Sequence, residues 1–169
     1  MKKTLLTLAI AATLAGCLKN EEPQRNCNYD ECALKAPAAE IQAVKEYLTT
    51  NNITNYVEHC SGLMYVIDSV GTGATPGVCS GVSIRYKGML TNGTVFDKSE
   101  TSTPYWELSN LIRGWVNGLP KIKQGGGMKL YIPPTLGYGA APQTDRNGNV
   151  IIPANSITVF EVKLDGVVN

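Results

Sequence analysis

At 169 residues, with 15 Lys plus Arg against 14 Asp plus Glu, the chain is long enough for one ordinary domain with extensions and carries no basic stripe to attract phosphates. That balance argues against nucleic acid as a partner. With 17 Gly and 9 Pro, the domain should be rich in turns.

Met1-Lys2-Lys3 followed by the apolar run from Leu5 to Ala15 has the charged start and short greasy middle of a secretory signal, too brief to span a bilayer as a mature helix. Leu14-Ala15-Gly16-Cys17 resembles the bacterial lipobox, in which the cysteine thiol accepts diacylglycerol before cleavage. Residues 1–16 are therefore read as a lipoprotein signal peptide and Cys17 as the lipidation site, with the acyl chains holding the protein on a membrane. The expected location is the cell envelope, anchored to the outer membrane at its periplasmic face or on the cell surface. Lys19-Asn20-Glu21-Glu22 is a candidate surface-export signal, since lysine-acidic stretches follow the lipid cysteine in some bacterial groups. Residues 17–36 are polar, punctuated by Pro23 and lack a periodic apolar set, so they read as a flexible tether.

Cys27, Cys32, Cys60 and Cys79 make an even number in an oxidising compartment, which favours disulfides over metal ligands. A zinc site would have to combine His59 and Cys60 with distant partners, without the paired short spacings such sites use. Four cysteines permit three pairings; Cys60 with Cys79 and Cys27 with Cys32 is the favoured one.

Residues 37–55 form an N-terminal helical segment, in which Ile41, Val44 and Leu48 share one face and Asn51-Asn52 is the stop. It is expected to pack as an appendage on a domain spanning residues 56–169. From Ser61 the apolar period becomes two: Leu63, Tyr65 and Ile67 alternate, then Val82, Ile84 and Tyr86. Thr91-Asn92-Gly93-Thr94 predicts a type I′ hairpin turn delivering Val95-Phe96-Asp97 beside Tyr86. The glycosylation sequon that overlaps this turn is secondary to the turn itself.

Asn110 to Gly118 predicts a short helix with Leu111, Ile112 and Trp115 on one face, which is either ordinary core or the floor of a pocket. Gly125-Gly126-Gly127-Met128-Lys129 lacks the Lys-Ser/Thr end and the flanking strand and helix of a phosphate loop, so it reads as the entry to a strand through Met128, Leu130 and Ile132, stopped by Pro133-Pro134. Leu136-Gly137-Tyr138-Gly139 is a loop whose glycines allow close backbone approach. Asp145-Arg146-Asn147-Gly148-Asn149 lacks the closing glutamate of a calcium loop and reads as a plain turn. Phe160, Val162 and Leu164 mark a last strand. The content is α+β: a sheet of about four or five strands with one short helix across it.

No histidine lies near a nucleophile and no metal set is credible, so hydrolase and nucleotide chemistry have little support. What recurs is aromatic side chains at strand ends and turns: Tyr86, Phe96, Trp115, Tyr138 and Phe160. The segments Val82 to Gly88, Asn92 to Asp97, Leu111-Ile112-Arg113-Gly114-Trp115, Leu136 to Gly139 and Ile151 to Ser156, in this order, resemble the FKBP-type peptidyl-prolyl cis-trans isomerases.

The resemblance implies an FKBP-like antiparallel sheet wrapped around one short helix. By position, it assigns the pocket floor to Trp115 and the pair ahead of it to Leu111 and Ile112. It assigns the wall to Tyr86, Phe96 and Phe160, the pocket aspartate to Asp97, the donor to a substrate carbonyl to Tyr138, and a ligand-contacting backbone amide to Ile152. Where the family has a further apolar wall residue, the shortened segment Pro104-Tyr105-Trp106 supplies Tyr105. The implied activity is X-Pro isomerisation during folding of exported proteins, with a non-catalytic proline-binding module or a membrane-anchored chaperone as the alternative. The implied ligands are proline-containing polypeptides and FK-type macrolides, on a monomer needing no cofactor.

Overall fold

The computed structural model describes residues 27–169, so the signal peptide, the lipidation site Cys17 and the first part of the tether lie outside the described residues. Pro37, which fixes φ and supplies the N-cap, opens α1 (Ala38–Thr50). The helix ends where Asn52 turns left-handed at φ 56° and Asn51 returns its backbone and side-chain N–H groups to the Tyr47 carbonyl. Its Ile41, Val44 and Leu48 are buried as their spacing predicts. They join the main hydrophobic core, so α1 packs on the domain through the face its spacing predicts. The Glu40 carboxylate also accepts hydrogen bonds from the Thr135 backbone N–H and hydroxyl, both at 2.8 Å, which ties α1 to the loop ahead of Tyr138.

The strands are β1 (Val57–Glu58), β2 (Met64–Ser69), β3 (Gly81–Leu90), β4 (Val95–Ser99), β5 (Trp106–Glu107), β6 (Gly127–Ile132), β7 (Gln143–Thr144), β8 (Val150–Ile152) and β9 (Thr158–Val168). Seven form one antiparallel sheet in the order β1-β2-β6-β9-β3-β4, with β5 on β3. The four or five strands predicted from periodicity fall short because β1 and β5 are two residues long, too short to show a period. The polar stretch around Asp145 is likewise more than a turn. It closes a separate β7-β8 hairpin, where the Asp145 carboxylate accepts the Asn147 and Asn149 backbone N–H groups.

Between β3 and β4, Leu90 accepts from the Gly93 N–H and donates to Thr94, and only Gly93 has positive φ, at 85°. This is a three-residue loop with a left-handed glycine, not the type I′ turn expected, which requires positive φ at Asn92 as well.

The helix α2 (Arg113–Gly118) crosses the sheet's concave face and starts later than predicted. Leu111 and Ile112 precede it in extended backbone, following a 3-10 turn at Leu108–Asn110. Gly114 and Gly118 let it lie against β6, since a Cβ at Gly114 would stand 2.5 Å from Ile132 and one at Gly118 2.6 Å from Leu130.

The predicted disulfide pairing is wrong. The bonds are Cys27–Cys79 and Cys32–Cys60. A strap formed by residues 27–36 lies on the domain instead of hanging free, so cysteines that are distant in sequence meet across it. The predicted tether accordingly does not reach residue 36. Tyr29 donates its hydroxyl to the Asn117 side chain of α2 at 2.7 Å, and Arg113 lies over the Tyr29 ring at 5.5 Å. Lys121 pairs with Glu31 at 2.7 Å, and Ala36 N–H donates to the Ser61 carbonyl.

Candidate functional site

A cavity of about 180 Å³ opens between the concave face and α2, lined by Tyr86, Asp97, Trp106, Leu111, Ile112, Trp115, Tyr138 and Phe160. The sheet supplies its walls by strand alternation. Tyr86 on β3 and Phe160 on β9 both face α2, and the Trp115 ring meets them edge-on at 5.3 Å and 5.1 Å between centroids. Trp115 is 5% exposed and also belongs to the core, so the two readings of its spacing both hold: it is core on one side and cavity floor on the other. Its indole Nε1 is buried with no hydrogen-bond partner among the described residues, an arrangement that is uncommon in native structures.

Phe96 stands behind the lining, edge-to-face with Tyr138 at 5.9 Å and Phe160 at 5.5 Å. Gly88 on β3 makes room for this cluster, since a Cβ there would meet Phe160 at 2.7 Å and Phe96 at 2.8 Å. Tyr138 follows a 3-10 turn at Pro134–Leu136. Left-handed Gly139 returns its N–H to Pro134 and accepts from Asn155, which fixes the loop that presents the tyrosine.

The polar tips converge at the mouth. The Tyr86 hydroxyl donates to the Asp97 carboxylate at 2.7 Å, while the Tyr138 hydroxyl has no hydrogen bond within the described residues. Burial, then the Asp97 carboxylate, pushes the Tyr138 hydroxyl up to about 12. Burial and the Asp97 hydrogen bond raise Tyr86 well above its usual range. Both therefore remain protonated donors throughout the neutral range. Groups with raised folded-state values hold their stabilising contribution below about pH 10 and lose it as pH rises toward the folded values. Any activity of this cavity should accordingly stay level between about pH 6 and 9, while urea unfolding should show stability falling above about pH 10. A rate that changed severalfold between pH 6 and 9 would contradict the assignment of neutral tyrosine donors.

The sequence-predicted residues are not all in the lining. Leu111 and Ile112 line it from extended backbone rather than from a helix face. Ile152 is buried on β8 but outside the lining. Tyr105 is 58% exposed and lies outside the cavity, where Trp106 stands instead with its ring 6.2 Å from Tyr86. The outward position of Tyr105 has a simple origin. Ser83 Oγ donates to the Thr103 carbonyl, and Thr103 Oγ1 accepts from Ile84 N–H, clamping this segment along β3. Once the segment is extended, neighbours point to opposite sides. The sequence signal for this is the apolar-polar-apolar alternation Trp106-Glu107-Leu108, whose Leu108 is fully buried in the structure.

Glu31, His59 and Cys60 bring donor atoms within 4.8 Å of one another. The Cys60 sulfur is committed to Cys32, so this set has no thiolate to offer a metal.

Comparison with known proteins is consistent with this geometry. The FkpA protein of Buchnera aphidicola subsp. Schizaphis graminum, an FKBP-type peptidyl-prolyl cis-trans isomerase by name, is 43% identical over 107 residues, covering 62% of this chain and 40% of that protein. The protein of the same name from Escherichia coli (strain K12) is 42% identical over 106 residues, 62% of this chain and 37% of its own length. The chain thus spans about two fifths of the length of the curated relatives it matches. Among solved structures, a peptidyl-prolyl cis-trans isomerase from Pseudomonas syringae pv. tomato superposes with TM-score 0.66 at 28% identity, covering 80% of this chain and 98% of that one. Escherichia coli FkpA superposes with TM-score 0.64 at 36% identity, covering 77% and 60%. The family profile described as FKBP-type peptidyl-prolyl cis-trans isomerase matches residues 73–165, more than half of the chain, and every residue that lines or backs the cavity falls inside that span. On that match, and with the antiparallel sheet closed over one short helix, the chain belongs to the FKBP-type peptidyl-prolyl cis-trans isomerase family.

Proposed function

We propose that this protein catalyses cis-trans isomerisation of X-Pro bonds in exported polypeptides. The carrying observation is the aromatic cavity of about 180 Å³ floored by Trp115, with Tyr138, a phenolic donor unpaired among the described residues, at its mouth. The obstacle to isomerisation is amide resonance, a barrier of about 18–20 kcal/mol, and no nucleophile is needed to lower it. A proline ring over Trp115, between Tyr86, Phe160 and Ile112, leaves the prolyl amide in a water-poor setting that favours the less charge-separated twisted form. Tyr138 is placed to donate to a carbonyl of the bound chain, and Asp97, holding Tyr86, fixes the opposite wall. Each gain of about 1.4 kcal/mol for the twisted state over the planar one is tenfold in rate.

The test is a protease-coupled assay of a Leu-Pro peptide with the full-length chain. Acceleration well above the spontaneous rate is expected at submicromolar protein. No acceleration at micromolar protein, with the peptide still bound, would leave a proline-binding module, and FK-type macrolides should compete for the cavity in either case.

Lipid anchoring at the cell envelope belongs to the same proposal. It is supported by the charged start, apolar run and Leu14-Ala15-Gly16-Cys17, and by the compatibility of two disulfides with an exported protein. Labelled palmitate should enter the wild-type protein in cells and not Cys17→Ala; equal labelling of both would exclude that anchor.

A further inference from the structure

A second concavity, an open groove of about 470 Å³, lies on the far side of Trp106 and is lined by Tyr105, Trp106, Glu107, Asn110 and Leu111. Trp106 and Leu111 are walls of both spaces, so the groove continues the cavity along the surface. Its outer wall is built in an unusual way. Tyr105 is the most exposed large apolar side chain of the described residues, yet its ring has a fixed seat. It lies over two glycines on neighbouring strands: a Cβ at Gly166 would stand 2.5 Å from the Tyr105 hydroxyl and 3.0 Å from its ring, and one at Gly81 would stand 3.6 Å from it. The seat orders the ring from below and leaves its outer side open. An aromatic side chain held in place without being covered loses little entropy on binding and offers a large contact area.

We propose that this groove is a subsite for client polypeptides, seating a large apolar or aromatic side chain that lies beyond the X-Pro pair, with Tyr105 as the residue that sets the preference. The proposal rests on the reading of the cavity as the X-Pro site. A chain whose prolyl ring lies on Trp115 and which leaves the cavity past Trp106 and Leu111 enters the groove directly, because those two residues are its inner wall. Each further residue of an extended client adds about 3.3–3.6 Å, so a side chain one or two positions beyond the pair is within reach of a space bounded by a single indole. The occupant is apolar because an indole, a phenol ring and a leucine make up three of the five lining residues, while the Glu107 carboxylate among the other two already accepts the Ser109 hydroxyl at 2.9 Å.

The experiment uses the full-length chain and peptides with a constant Ala-Pro pair. Phenylalanine or alanine is placed at the second position before the proline, directly after it, or second after it. With wild-type protein, phenylalanine at one of these positions should raise kcat/KM about fivefold over the alanine peptide, through KM, the size expected of one good aromatic contact. Tyr105→Ala should abolish that ratio and Tyr105→Phe should keep it. Gly166→Ala, which leaves Tyr105 in the chain but removes its seat, should reduce the ratio. The proposal is overturned if no position gives a gain, if the gain survives Tyr105→Ala, or if Tyr105→Ala lowers the alanine and phenylalanine peptides alike. Dissociation constants for the same peptides, read from tryptophan fluorescence, carry the same ratios. If wild-type protein accelerates none of the peptides, the isomerase reading fails while the binding ratios still decide the subsite.

Discussion

Replacing Trp115 with alanine should lower both stability and activity, the first by about 3–5 kcal/mol. The indole is 5% exposed and is gripped edge-on by Tyr86 and Phe160, so its removal leaves a void that those rings cannot close without leaving their strands. From the sequence, a pocket floor would weaken ligand binding more than the fold; its packing in the core makes the loss of stability comparable. In the molecules that remain folded, kcat/KM for a proline peptide should drop by about a hundredfold, because the surface that seats the ring and excludes water is gone. Urea unfolding gives the first quantity and an isomerisation assay well below the unfolding midpoint gives the second. Trp115→Phe should recover a large part of both. Full activity in folded Trp115→Ala would show that the indole is core alone.

Replacing Cys32 and Cys60 together with serine should cost about 3–4 kcal/mol, since the bond closes a loop with a sequence separation of 28. Removing Cys27–Cys79, with separation 52, should cost somewhat less than its length implies while the inner bond remains, because the inner loop already shortens the outer one. Activity should change much less than stability, within about threefold by comparison with the Trp115 variant, since neither bond joins a residue lining the cavity. The strap touches α2 on Arg113 and Asn117, while Trp115 is gripped by Tyr86 and Phe160. Thermal unfolding with and without reductant, set beside kcat/KM at low temperature, checks this. A loss of activity as large as that of Trp115→Ala, with the fold intact, would mean that the strap and not the sheet positions the floor.

The parts of the fold that could be read in the sequence are those whose period survives over five residues or more. The buried face of α1, the long strands β3 and β9, and the glycine-rich entry into β6 are of this kind. Two-residue strands show no period, and the strap from Cys27 to Ala36 has no apolar pattern because disulfides, an ion pair and single hydrogen bonds hold it instead. Disulfide pairing follows from tertiary placement, so sequence separation is a poor guide to it. In the cavity, the resemblance located the residues that lie on long strands and in the Trp115 segment. It failed at Tyr105 and Trp106, where the segment is shortened and one residue of offset reverses which aromatic faces inward.

Exchange NMR on a peptide carrying one X-Pro bond, with catalytic amounts of the full-length chain, separates catalysis from binding. It reads cis-trans exchange without a coupling protease, and the indole N–H signal of Trp115 reports binding in the same sample. Exchange should quicken in proportion to protein, with the Trp115 signal shifting on titration and the acceleration reduced about a hundredfold in Trp115→Ala. A shifted Trp115 signal with unchanged exchange would contradict catalysis and leave a cavity that binds proline without turning it.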